Sequence, residues 1–368
     1  LSVVLLIIGI LLFIGLVVLH EFGHFLAARR NGVDVEEFGI GFPPRAWSRP
    51  TKKGFIFSLN WLPIGGFVKL KGENDAATAK GSFGAASFKA KAKIMLAGVG
   101  MNLLAAFVIF TALAWIGMPQ LIDNQFSVRS DTKIIQREVL VGYVDAGTPA
   151  AKAGLKARDE LKSIGLQGRV PTPVTTASSL PKITKEYAGK TVNITYERNK
   201  QTRVAAVTLR TEKEAKGRGY LGLAPAEFSL TRATWSAPVQ SVGLMGQFTE
   251  LTFKGLGTAL SALFHGDTHT ASEQVSGPVG IVVVLRDGSL LGYQFVLLII
   301  GLISLSLAVM NVLPIPALDG GRFYVILLSR LFGKKLTQDM EERIVGASFV
   351  FLLLLIALIT VVDVKRYF

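Results

Sequence analysis

His20-Glu21-Phe22-Gly23-His24 has the types and spacing of a metal-dependent hydrolase site. Residues four apart share one face of an α-helix, so His20 and His24 can bind one metal ion while Glu21 lies beside it, able to take a proton from water. The motif ends an uninterrupted apolar run, Leu1 to Leu19. Three ionisable side chains in an apolar helix are costly unless they pair or bind an ion, so the placement itself points to a functional site. A catalytic zinc takes three protein ligands and keeps one open position. No histidine follows His24 until His265, and the candidate third ligand is Asp319, in the run Asn311-Val312-Leu313-Pro314-Ile315-Pro316-Ala317-Leu318-Asp319-Gly320-Gly321-Arg322. Two prolines break the helix there and Gly-Gly frees the backbone, so Asp319 can project from irregular backbone, which at membrane depth must be buried in protein or line a cavity. The competing expectation is a helix-capping aspartate. His265 and His269 are also four apart, but Gly266 interrupts any helix and no Glu stands between them; they read as loop histidines.

The elements that must hold these residues are mostly membrane helices. Half of the residues are hydrophobic and 18% are charged. Four runs are long enough to cross a bilayer: the first, Ile94 to Met118, Ser289 to Pro316 and Ile344 to Val362. The first lacks a basic leader and carries the His-Glu-His cluster, so it reads as a retained helix and not a cleaved signal peptide. Between the first two spans, residues 29–93 hold twelve Lys and Arg against five Asp and Glu. Arg330, Lys334, Lys335 and Arg343 mark the link between the last two. Basic loops face the cytoplasm, which places both termini and the long segment from Pro119 to Gly288 outside. At about 1.5 Å per residue His20 lies nearly 30 Å along its helix, so the site is expected near the cytoplasmic face. The net charge of +14 is then largely a matter of topology, and no nucleic-acid partner is expected. With no cysteine, disulfides and thiol chemistry are excluded.

Gly54 to Leu70 is rich in β-formers, broken by Pro63 and Gly65-Gly66, and reads as a β-hairpin whose greasy face dips into the membrane edge. An exposed strand edge there could take up the backbone hydrogen bonds of an extended peptide laid beside it. Residues 127–226 have a different character, with strand-like alternation at Thr191 to Tyr196 and Arg203 to Leu209, and are long enough for one small core. Ala237 to Leu263 reads as a helix on the outer membrane surface.

HEFGH at 20–24 and NVLPIPALDG at 311–320 resemble the paired zinc motifs of the bacterial site-2 protease family, intramembrane zinc metalloproteases of peptidase family M50. Similar stretches are Phe38 to Pro44, Leu62 to Val68 and Ser276 to Ile281; where family members commonly have Gly-Pro-x-x-Asn, this chain has Gly98-Val99-Gly100-Met101-Asn102, without the proline. The resemblance implies zinc ligands His20, His24 and Asp319, Glu21 as catalytic base, and substrate contacts at Asn311 and on the hairpin, assigned to Phe57, Leu59, Gly65 and Gly66. Gly142 to Leu155 resembles the opening of a bacterial PDZ domain and Tyr220 to Leu223 its close, which implies a single such domain, serving more as a size filter than as a peptide receptor.

The expected fold is a polytopic α-helical membrane protein with four transmembrane helices, a membrane-associated β-hairpin region and one extracytoplasmic PDZ domain. Its segments are 1–30 (first span), 31–93 (hairpin loop), 94–118 (second span), 119–226 (PDZ), 227–288 (surface segment), 289–333 (third span with the LDG motif) and 344–363 (fourth span). The expected activity is metal-assisted peptide hydrolysis in the bacterial inner membrane. The partners implied are lipid, single-pass substrates such as anti-sigma factors or signal-peptide remnants, and an upstream site-1 protease. Two other classes remain open: a non-catalytic adaptor with a structural metal, and, less favoured by ionisable residues gathered at one depth, a metal transporter.

Overall fold

A computed structural model describes residues 2–198, 200–333 and 336–368; Leu1, Asn199, Lys334 and Lys335 lie outside the described residues. The chain forms two compact units, one of residues 1–115, 126–128 and 235–368, the other of residues 116–125 and 129–234.

The first unit starts with α1 (Ser2–Arg30), whose buried positions Gly9, Leu16, His20, Gly23 and Ala28 form one stripe at helical spacing. His20 therefore points inward because the stripe does. The rest of the helix is apolar outward, with Val3 and Leu11 exposed. Two antiparallel strands follow, β1 (Val35–Pro50) and β2 (Ile56–Leu70). Each residue from Glu37 to Ile40 pairs twice, Phe38 with both Phe57 and Val68, Ile40 with both Leu59 and Gly66. The expected hairpin within Gly54 to Leu70 is thus corrected: its two halves do not pair with each other but flank the first half of β1. Alternation of β-formers marks strands, whereas pairing is decided by distant chain, and Gly39 gives the close fit, since a Cβ there would overlap the Phe67 ring. Glu37, 5% exposed, pins this sheet. Burial alone would raise its carboxyl, but hydrogen bonds from Ser58 Oγ at 2.7 Å and from Arg45 outweigh that and hold it below the usual carboxylate range.

Next come α2 (Phe88–Met95), N-capped by the Ser87 hydroxyl, and α3 (Ala97–Ile116). Gly23 of α1 lets the two chains approach: a Cβ there would lie 2.6 Å from the Ala97 carbonyl oxygen and from Met101 Cγ.

The second unit is a seven-stranded sheet with three short helices. Its elements are β3 (Met118–Pro119), β4 (Lys133–Val144), α4 (Pro149–Lys152), β5 (Glu160–Gly165), β6 (Thr172–Pro173), α5 (Ser179–Glu186), β7 (Thr191–Arg198), β8 (Gln201–Thr208), α6 (Glu212–Ala215) and β9 (Leu223–Arg232). The order is β3-β9-β4-β5-β7-β8, with β6 on β5. Val139 and Val141 of β4, Leu161 and Ile164 of β5 and Val192 and Ile194 of β7 point inward from three strands to make its core. A carboxylate is buried beside them: Asp159 takes Arg198 Nε and Nη2, each at 2.6 Å, and the Lys156 amide at 2.8 Å. The unit does not close at 226, because β9 continues to Arg232 to complete its pairing with β4.

The chain returns to the first unit as α7 (Ala237–Phe264), α8 (Thr268–Glu273), α9 (Pro278–Leu291), α10 (Tyr293–Val312), α11 (Asp319–Leu331) and α12 (Gln338–Tyr367). Gln240, Ser241, Leu244 and Phe248 form the buried side of α7, with Ser241 Oγ donating to the Phe107 carbonyl of α3 at 3.0 Å. Among the described residues four helices, α1, α3, α10 and α12, are long and apolar enough to cross a membrane. The expected third span over 289–333 is three pieces: α9 stops at Gly292, α10 is the apolar span, and α11 is a separate helix after the proline break. On α12 the only buried residues are Glu341 and Asp363, whereas Phe351 and Leu354 are exposed.

Candidate active site

Leu313, Ile315 and Leu318 close short turns after α10, and the chain doubles back so tightly that a Cβ on Gly321 would overlap the Ile315 carbonyl. This fold-back sets Asp319 at the first position of α11, after Leu318, and aims its carboxylate at α1. Asp319 Oδ2 lies 3.0 Å from His20 Nε2 and 3.2 Å from His24 Nε2, and the two Nε2 atoms are 3.2 Å apart. Among the described residues this is the one group of metal-capable side chains whose ligand atoms converge. The helix-capping role is set aside, since the carboxylate faces the imidazoles instead of the first turn of α11.

The tautomer of His24 follows from its other nitrogen. Nδ1 is 2.7 Å from the Ile94 carbonyl oxygen, which only accepts, so Nδ1 carries the proton and Nε2 of the neutral ring is a lone pair. Asp319 Oδ2 is buried without a hydrogen-bond donor. Lone pairs that converge in this way repel one another unless a cation lies between them. Two imidazole nitrogens and one carboxylate oxygen are a set that zinc accepts with a fourth position open, and bonds of ~2.0 Å at a tetrahedral centre give ligand separations of about 3.3 Å. The site fits zinc.

Behind the imidazoles runs one stripe at four-residue spacing: Ile94, Gly98 and Asn102. A Cβ on Gly98 would lie 2.5 Å from His24 Nε2 and 2.6 Å from His20 Nε2, so only glycine leaves room for the rings. Asn102 Nδ2 is 3.1 Å from His20 Nδ1. These contacts went unassigned in the sequence, although the spacing of 94, 98 and 102 was a readable signal.

Glu21 faces β2. Val68 lies beside its carboxylate, and a Cβ on Gly66 would lie 3.4 Å from Glu21 Cγ. Of the expected substrate contacts, Gly66 is therefore brought to Glu21. Phe57 and Leu59 are not: they pair with the opposite side of β1, where Phe57 stacks on Phe38 with ring centres 6.2 Å apart. Gly65 turns the strand at φ +95° against the Phe42 ring. Asn311 donates to the Leu307 carbonyl at 3.0 Å near the end of α10. His265 follows the end of α7 and His269 lies in α8, where its Nδ1 is 3.7 Å from Glu273; neither joins the converging group.

A charged cluster braces α11 from below. Arg322, one turn after Asp319, donates to Glu341 and Glu73 at 3.2 Å each, and Glu341 accepts the Asp75 amide at 2.8 Å. Asp75 is in turn paired with Lys91, which is 1% exposed. Phe83 lies under both Arg322 and Lys91, and Ile326, Ile94, Met95 and Ala28 complete an apolar core around it.

Comparison with known proteins supports the same reading. Peptidase family M50 matches residues 8–355. A protein of Fusobacterium nucleatum named as a candidate zinc metalloprotease is 30% identical over 357 residues, covering 96% of this chain and 97% of its own. One of Clostridium acetobutylicum with the same kind of name is 30% identical, covering 97% and 96%. The Enterococcus faecalis protein Eep, named as a candidate protease, is 24% identical, covering 96% and 97%. Taken with its four apolar helices, the chain belongs to the site-2-protease-like peptidase family M50 and is a multi-pass membrane metalloendopeptidase that uses zinc.

Proposed function

We propose that this protein cleaves peptide bonds within or next to the transmembrane segment of single-pass membrane proteins already trimmed outside, the last step of regulated intramembrane proteolysis. The observation that carries the reading is the convergence of His20, His24 and Asp319 towards the C-terminal end of an apolar helix, with Glu21 beside them against β2. His20, His24 and Asp319 would hold the zinc, which when bound supplies a Lewis acid that acidifies water and polarises the scissile carbonyl.

The remaining work falls to the chain. Glu21, beside Val68, takes a proton from the attacking water and passes it to the leaving amide nitrogen. The segment from Gly66 to Val68 pairs with β1 on one side and lies against Glu21, so an extended substrate added along it presents its carbonyl to the base. Asn311 contacts the substrate backbone from the other wall. Apolar side chains at Phe42, Trp47, Trp61 and Leu62 are exposed on the sheet and suit a membrane edge.

The inserted unit acts as a single PDZ domain that excludes substrates with bulky exterior parts. Supporting this, its two PDZ-like stretches meet: Thr148 Oγ1 donates to the Gly222 carbonyl at 3.0 Å and the Ala150 amide to the Leu221 carbonyl at 3.0 Å. The protein sits in a bacterial inner membrane with this unit outside and the site near the cytoplasmic face, and its substrates are of the anti-sigma-factor or signal-peptide-remnant class, prepared by a site-1 protease.

The test is cleavage of a tagged single-pass protein with a short exterior stub, comparing wild type with Glu21→Gln in the same membranes. Product from wild type only is expected; equal processing by the variant would overturn the assignment of the base.

A further inference from the structure

Asn102 is fully buried in the second turn of α3, and its side-chain amide touches the ring nitrogen of His20 that faces away from Asp319. With Nε2 of His20 turned to the ligand cluster, Nδ1 must carry the proton, and a protonated nitrogen needs an acceptor. The Asn102 amide has one. Its Oδ1 has no donor, so no other contact competes for that oxygen, and the nitrogen and oxygen ends of an amide exchange by a half-turn. The neighbouring ligand sets the precedent: His24 Nδ1 donates to the Ile94 carbonyl at 2.7 Å. Ile94 and Asn102 flank Gly98 at four residues on either side, so a single stripe offers one carbonyl oxygen to each imidazole with an empty position between. The backbone of Asn102 is itself tied down, as Ser304 Oγ of α10 donates to its carbonyl at 2.8 Å.

We infer that Asn102 is the positioning residue of His20, its side-chain carbonyl accepting the Nδ1 proton and thereby presenting the Nε2 lone pair to the metal. Without that acceptor His20 can take the other tautomer, with its proton on Nε2 pointing at Asp319 Oδ2, and that proton competes with the metal. The inference rests on the reading of His20 as a zinc ligand.

Zinc affinity of the purified full chain, measured by competition with a chelator, tests it without any substrate. Asn102→Leu, similar in volume but without an acceptor, is expected to bind zinc about 10–100-fold more weakly. Asn102→Asp keeps acceptors only and is expected to bind at least as tightly as wild type, whereas an amide that donated to Nδ1 would be disabled by the same change. Unfolding of the zinc-free chain provides the control, since a packing defect would lower its transition in both variants and would not be rescued by Asp. Wild-type affinity in Asn102→Leu, with zinc lost in His20→Ala, would overturn the positioning role alone. Zinc retained by His20→Ala would overturn the ligand reading and this inference with it. Should Asn102→Leu fail to accumulate, a tenfold loss of affinity in Asn102→Asp is by itself enough to reject the proposal.

Discussion

The inserted unit and helix α12 of the first unit bury opposite kinds of side chain. In the inserted unit Leu161, Ile164, Val192 and Ile194 are inside and charged side chains line the surface, the order that water imposes. In α12 the only buried residues are Glu341 and Asp363, while Phe351 and Leu354 face outward. Asp363 accepts the amides of Gly277 at 2.9 Å and Gly280 at 2.7 Å, closing the first turn of α9 from a different helix. The lesson is that hydrophobicity reports burial only relative to the solvent: where lipid replaces water, apolar side chains cost nothing outside and polar contacts hold helices together. The candidate site is the extreme case of that inversion, with two histidines and two carboxylates gathered where α1 meets α11.

The contrast can be broken at several points. The largest effect is at the site: Glu21→Gln is expected to keep zinc and lose turnover by about 10²–10⁴-fold, while Asp319→Ala loses both, checked by metal content and cleavage rate on the same preparation. Stripping the zinc with a chelator should abolish cleavage reversibly, with activity regained on adding the metal back. In the inserted unit the expected loss is of stability: Leu161→Ala should cost about 2–5 kcal/mol, read as a lower unfolding transition of that unit with zinc content unchanged. Leu354→Lys and Val170→Lys form the sharpest pair, because both positions are exposed, 66% and 92%. The first should impair membrane insertion by roughly 3 kcal/mol in a glycosylation-mapping assay. The second should leave unfolding within about 0.5 kcal/mol; an equal effect of the two would remove the contrast.

The site was largely legible because its chemistry is written in short spacings. A four-residue interval puts His20 and His24 on one face, and a proline-broken apolar run ending in Asp-Gly-Gly marks where a helix stops and a carboxylate can turn inward. What joined them was less visible. That Asp319 reaches α1 depends on the fold-back at Ile315 and on the packing of Ile326 against Ala28 and Ile94, contacts between segments hundreds of residues apart. The sheet was misread for the same reason: β-formers in Gly54 to Leu70 specify strands but not that Phe38 and Ile40 lie between them. The third span was found where the apolar run Ser289 to Pro316 put it, as Tyr293–Val312, but its ends were not: Gly292 at φ +115° starts α10, and the LDG motif belongs to the separate helix α11.

The polar clasps of α12 also bear on how the gene can drift. A helix that touches its neighbours through Glu341 and Asp363, through Ser348 on the Ala317 amide and through Ile359 beside Gly277 leaves a long stretch, around Phe349 to Leu358, in which any apolar residue serves as well as another. Saturation mutagenesis scored by growth should therefore show a nearly flat landscape along that stretch, bounded by two sharp intolerant points at the acids.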